Sequence, residues 1–183
     1  MKLGFIGGGN MGSAMMGGII AGGLCDKKDV MVSDTFQDSL DRLSADLGIN
    51  TTTDNKAVVE FADIIFLATK PNQVADVLEE IKSNLTSDKL IVSIAAGVKL
   101  ETMEDIVPNI PVIRVMPNAG LLVSEGMCCI AKAKSATDKD VELVYDLLSK
   151  MGKCLILKED KMDIVTAISG SGPAFFYKSI HEM

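Results

Sequence analysis

LGFIGGGNMGSAMMGGIIAGGLC, Leu3 to Cys25, carries no charge and decides how the rest of the chain is read. Leu3 to Ile6 is a short apolar run, Gly7, Gly9 and Gly12 follow in G-x-G-x-x-G spacing, and Asn10 to Ile20 can continue as a helix. Strand, glycine turn and helix in that order form the arrangement that binds a dinucleotide. Glycines let the backbone turn tightly and approach a pyrophosphate, and amides at a helix start have no intrahelical partner and point toward its charge. Bare amides are therefore expected across residues 7–12, with Gly9 giving the close approach and Gly12 the packing of helix on strand. The competing reading of an uncharged stretch behind Lys2 is a signal peptide or a membrane span. Glycines from Gly4 to Gly23 argue against it, each weakening a helix by roughly 1 kcal/mol relative to alanine.

A glycine motif needs its next strand. Asp29 to Ser33, DVMVS, suits one and ends at Asp34, about the expected distance past the glycines. A carboxylate there accepts hydrogen bonds from the adenosine ribose hydroxyls and repels the extra phosphate of NADP, which favours NAD. The alternative is a solvated aspartate that starts a turn or caps the following helix.

The chain has 183 residues, enough for one α/β domain and a little more. Many apolar residues, few aromatics and no Trp suit a parallel sheet filled by Val, Ile, Leu and Ala. A net charge of −7 argues against a nucleic-acid or anionic-membrane surface. Cys25, Cys128, Cys129 and Cys154 include no C-x-x-C pair and have only His181 to complement them, so no metal site is expected. They form no disulfide framework either, and a cytoplasmic location is the simplest expectation.

Further strands are predicted at 49–53, 63–68, 90–94, 111–116, 126–131 and 153–157. Helices are predicted over 37–47, closed by Gly48, from Asp54 through Phe61, from Pro71 through Leu85, and over 100–107 and 138–151. This alternation predicts a Rossmann-type, doubly wound, mostly parallel sheet with its ligand at the strands' carboxyl ends. Thr69, Lys70 and Pro71 follow a buried strand, and Lys70 stands beside a helix amino end, where a ligand bearing hydroxyls or negative charge would offset the dipole. The small side chains of Ala95 and Ala96 leave room for a flat ring. The charged run Lys158 to Lys161 marks a domain boundary, giving a dinucleotide-binding unit of residues 1–158 and a helical segment of 159–183. In that segment Ser169-Gly170-Ser171-Gly172-Pro173 is expected to interrupt two helices, the second bearing Phe175, Phe176, Tyr177 and Ile180. Nothing later covers this aromatic face, so either the chain is a fragment or the face docks on a second copy.

FIGGGNMG, ATKPNQV, IAAGV, VMPN and SGSGPA, in this order and at these separations, resemble pyrroline-5-carboxylate reductase. The resemblance implies reduction of the C=N bond of 1-pyrroline-5-carboxylate by NADH or NADPH to give L-proline, and homodimers or larger oligomers built through an all-helical carboxyl-terminal domain. By position it implies cofactor contacts at Ile6, Gly7, Gly8, Gly9, Asn10, Met11 and Gly12 and at Asn55. It implies the same for Ala68, Thr69, Lys70 and Pro71 under the nicotinamide ribose, and for Ile94, Ala95 and Ala96. Asp34 falls where many members carry a small or hydroxyl residue, so its charge tilts this chain toward NADH. Asn118 matches a residue near nicotinamide and substrate, and Ser171 and Gly172 could offer amides to the pocket.

Two departures stand out. Ala119 and Gly120 replace the family's usual threonine and proline, and the later glycine-rich segment that holds the substrate carboxylate is not in this chain, so little turnover is expected of it. No acid, base or nucleophile arrangement stands among the candidates, in keeping with chemistry the cofactor supplies. The rival readings are a ketone reductase related to 3-hydroxyacid dehydrogenases and a non-catalytic dinucleotide-binding module.

Overall fold

A computed structural model describes residues 1–183. All eight predicted strands form: β1 (Leu3–Ile6), β2 (Val30–Ser33), β3 (Asn50–Thr52), β4 (Ile64–Leu67), β5 (Leu90–Ser93), β6 (Val112–Met116), β7 (Gly126–Lys132) and β8 (Gly152–Ile156). They make one sheet in the order β3-β2-β1-β4-β5-β6-β7-β8. Every pair is parallel except β6–β7. That exception is a matter of reach: residues 117–125 hold only a 3₁₀ turn, too short for the crossover a parallel pair requires.

The helices are α1 (Asn10–Ala21), α2 (Gln37–Leu47), α3 (Asn55–Phe61), α4 (Val74–Ile81), α5 (Leu100–Ile106), α6 (Asp138–Ser149), α7 (Met162–Val165) and α8 (Gly172–Glu182). Strand alternation sends side chains into two cores. Leu3 and Phe5 of β1 join Ile64 and Phe66 of β4 beneath α1, α2 and α6, where Met15, Met16, Leu40 and Val144 are buried. Ile6, Ile65 and Leu67 face the other way, onto Val58, Leu78 and Met103 of α3, α4 and α5. Phe5 and Phe66 are register partners, and their rings stack at 4.6 Å.

Local chemistry sets several ends as expected. Gly48 takes the left-handed conformation (φ 68°) that closes α2, and Asp54 Oδ1 accepts the Lys56 amide at 2.9 Å to cap α3. Pro71 opens a 3₁₀ turn, Pro71–Gln73, before α4 begins, and after Ile81 the helix tightens into a second 3₁₀ turn, Lys82–Asn84, that ends at Leu85.

The expected interruption at Ser169–Pro173 narrows to a single residue. The chain widens into a π-helical turn, Thr166–Gly170, bends at Ser171 and starts α8 at Gly172. Pro173 sits in the first turn of α8, where its missing N–H costs no hydrogen bond. The Ser171 amide reaches five residues back to the Thr166 carbonyl at 2.8 Å. Phe175, Phe176, Tyr177 and Ile180 are all exposed. No helix is long and apolar enough to cross a membrane.

Candidate functional site

Strand order reverses at β1, whose neighbours are β2 and β4, and the β1–α1 turn lies at the carboxyl end of that reversal. Gly7 has φ +106°, and a Cβ there would stand 2.7 Å from the Ala68 carbonyl oxygen. A Cβ on Gly12 would stand 2.6 Å from the Gly7 carbonyl oxygen, so helix and turn touch backbone to backbone. Gly9 is different: a Cβ there would meet nothing within 4 Å. The three glycines thus permit a strained turn, an open approach and close packing.

The bare amides are fewer than expected. The Gly7 amide donates to the Ser33 carbonyl at 2.8 Å, and the Gly8 amide donates to Asp34 Oδ2 at 2.7 Å. The amides of Gly9, Asn10, Met11 and Gly12 donate to no group of the chain, and no side chain caps α1. Four free N–H groups at a helix start beside open space match an anionic pyrophosphate, so these residues fit the dinucleotide. The Ile6 side chain is buried in the core, and its carbonyl accepts the Ala68 amide. Asn10 is exposed at the rim.

Asp34 braces the turn as well as lining it. Oδ2 holds Gly8, and Oδ1 accepts the Phe36 amide at 3.0 Å. A carboxylate has about four acceptor positions, so room remains for ribose hydroxyls. Beside it Ser33, fully buried, donates through Oγ to Asn55 Oδ1 at 2.7 Å, and Asn55 Nδ2 donates to Glu80 Oε2 at 2.9 Å.

The loops after β4 and β5 supply the other wall. Thr69 Oγ1 is buried with no partner, as a hydroxyl that awaits a ligand group would be. The Lys70 amide donates to Gln73 Oε1 at 3.3 Å, and Lys70 and Pro71 are exposed. Ile94 is half-buried and Ala96 exposed, but Ala95 is buried in the core, so its side chain cannot face a ligand.

At the far end two expectations change. Asn118 Oδ1 accepts the amides of Gly120 (3.1 Å) and Met127 (3.0 Å), so it braces its own loop and leaves only Nδ2 for a ligand. The Ser171 amide is engaged inside the π turn and is not available to a pocket, whereas Gly172 borders open space. Sequence reasoning missed Arg114, which is buried in β6. Its Nη1 stands 3.0 Å from Glu159 Oε1, an oxygen that also accepts the Leu100 amide at 2.7 Å. A lone arginine inside the apolar run PVIRVM was the available signal.

Titration is perturbed mainly elsewhere, among the thiols. Burial pushes Cys25 and Cys129 up; the hydrogen bond with Cys154, then burial, push Cys128 up; the same hydrogen bond holds Cys154 down. Cys128 and Cys154 are register partners on β7 and β8, away from the glycine turn. Two concavities, about 590 Å³ beside α6 and β8 and about 310 Å³ between α4 and α5, also lie off that turn. The turn with free donors borders open space at Gly9.

The model of a family described as "NADP oxidoreductase coenzyme F420-dependent" matches residues 2–97. A pyrroline-5-carboxylate reductase of Methanosarcina acetivorans is 44% identical over 183 residues, 100% of this chain and 68% of that protein. The structure of a pyrroline-5-carboxylate reductase from Coxiella burnetii superposes with a TM-score of 0.91 at 31% identity, over 99% of this chain and 68% of that one. The Plasmodium falciparum pyrroline carboxylate reductase, solved with NADP bound, superposes with a TM-score of 0.90 at 34% identity, over 100% of this chain and 67% of that one. This chain spans about two thirds of the length of each.

Proposed function

Because this chain belongs to the pyrroline-5-carboxylate reductase family, and through residues 2–97 to the family described as "NADP oxidoreductase coenzyme F420-dependent", we propose that it reduces 1-pyrroline-5-carboxylate to L-proline. The observation that carries this reading furthest is the set of free amides at Gly9, Asn10, Met11 and Gly12, facing the strand-order reversal beside an open approach. A nicotinamide dinucleotide, when bound, supplies the reducing hydrogen.

The chain's own groups bind and orient. The turn from Gly7 to Gly12 holds the pyrophosphate, Asp34 and Asn55 hold the adenosine end, and Thr69 to Pro71 with Ile94 and Ala96 line the nicotinamide half. Asp34 favours NADH, because a second negative charge on the ribose would meet a carboxylate already fixed by two backbone amides. Asn118 Nδ2 and the open backbone at Gly172 face the substrate end. No side-chain acid is required where the imine arrives protonated; orientation does the rest.

Residues 1–158 form the dinucleotide-binding unit in this reading, and the exposed face of α8 packs on a second copy, burying Phe175, Phe176, Tyr177 and Ile180. The deciding experiment titrates the protein with NADH and NADPH and then measures proline in the presence of 1-pyrroline-5-carboxylate. Expected are tighter binding of NADH and slow formation of proline, seen only where dinucleotide and imine are both present. Binding of neither dinucleotide refutes the reading.

A further inference from the structure

Ser33, Asn55 and Glu80 come from β2, the start of α3 and α4, and meet at the carboxyl edge of the sheet directly behind Asp34. The adenosine half of a dinucleotide lies at this edge, beyond the end of the second strand. The Ser33 hydroxyl cannot set which way the Asn55 amide faces, because a hydroxyl both donates and accepts. Glu80 can. An ionised carboxylate only accepts, so Oε2 at 2.9 Å requires the Asn55 nitrogen on its side and leaves the oxygen to Ser33 at 2.7 Å.

We propose that Glu80 is a positioning residue for the dinucleotide: it holds the Asn55 amide in one orientation, with one N–H and one acceptor position left to face the adenosine end. It does so from the surface, since Glu80 itself is exposed and belongs to neither core. The inference rests on reading the β1–α1 groove as a dinucleotide site. It goes further by giving a residue outside the glycine turn control over one half of the ligand only.

The test is a double-mutant cycle on the whole chain, read by binding of ADP-ribose, which carries the adenosine and pyrophosphate portions, and of nicotinamide mononucleotide, which does not. Glu80→Ala is expected to weaken ADP-ribose by about threefold to tenfold, the weight of one well-placed hydrogen bond, and to leave nicotinamide mononucleotide and the unfolding temperature unchanged. In an Asn55→Ala background the same substitution is expected to have no further effect on ADP-ribose. Unchanged ADP-ribose binding in Glu80→Ala, an equal loss for both ligands, or a loss that persists undiminished without Asn55 would each overturn it. Failure of the unmutated chain to bind ADP-ribose would instead remove the dinucleotide site, and this inference with it.

Discussion

Replacing Asp34 with serine separates two roles that the structure gives one carboxylate. The first is selection. At a separation of about 4 Å, two unit charges repel by about 1 kcal/mol in water and about 4 kcal/mol near a protein surface, and a ribose phosphate carries roughly −1.5 to −2. Removing the carboxylate should therefore raise NADPH affinity relative to NADH by about tenfold or more, since each 1.4 kcal/mol or so is a factor of ten. The second role is support. Asp34 Oδ2 accepts the Gly8 amide at 2.7 Å, Gly8 is buried, and the shorter serine cannot reach both Gly8 and Phe36. An orphaned buried amide costs roughly 1–3 kcal/mol, so the unfolding temperature should fall by about 2–4 °C for each kcal/mol. Fluorescence titration with both dinucleotides, alongside thermal unfolding, reads the two effects separately. An unchanged NADPH-to-NADH ratio would refute the selective role, and an unchanged unfolding temperature would refute the bracing role.

Gly12→Ala should weaken both dinucleotides, because its Cβ would meet the Gly7 carbonyl oxygen at 2.6 Å and backbone cannot rotate aside. Overpacking of this kind costs about 1–3 kcal/mol, and wild-type affinity by calorimetry would contradict the packing argument. Glu159→Ala removes the hydrogen-bonded partner of the buried Arg114 guanidinium, leaving it only Asp163 at 3.8 Å, and leaves the Leu100 amide without its acceptor. Such losses run to about 3–5 kcal/mol when fully buried, and the partial exposure of Glu159 places the expected loss in urea unfolding near the lower end. Alkaline pH should also destabilise the fold. Cys25, Cys128 and Cys129 are raised above 9.0, so above that pH the unfolded chain releases protons the folded chain keeps and stability falls. Cys154, lowered, contributes in the opposite direction. Denaturant midpoints between pH 8 and 10.5 check the sign, and a rise across that interval would contradict it.

Much of this molecule is local in origin and was legible along the chain. Seven of the eight strands are built around apolar residues bounded by turns, and β3 is a short β-branched stretch, NTT. Gly48 and Asp54 end and begin helices through bonds spanning four residues or fewer, and the glycine spacing with Asp34 marks where a dinucleotide meets the sheet. Other features depend on which strands become neighbours and in what register. The bond from Gly8 to Asp34 joins residues 26 apart, Arg114 and Glu159 are 45 apart, and Leu100 and Glu159 are 59 apart. Lys158–Lys161 reads as a solvated charged break because periodicity cannot see the buried guanidinium that Glu159 meets. Asn118 and Ser171 read as ligand donors because only the folded loop shows their polar atoms already engaged.

Composition and spacing alone determined a doubly wound sheet with a phosphate-facing turn, because strand and turn preferences act over a few residues. Tertiary structure alone decided which of those amides stay free, which way Asn55 faces and what Arg114 holds. Each of those outcomes is a hydrogen bond between distant segments, formed only once the sheet has set their distance.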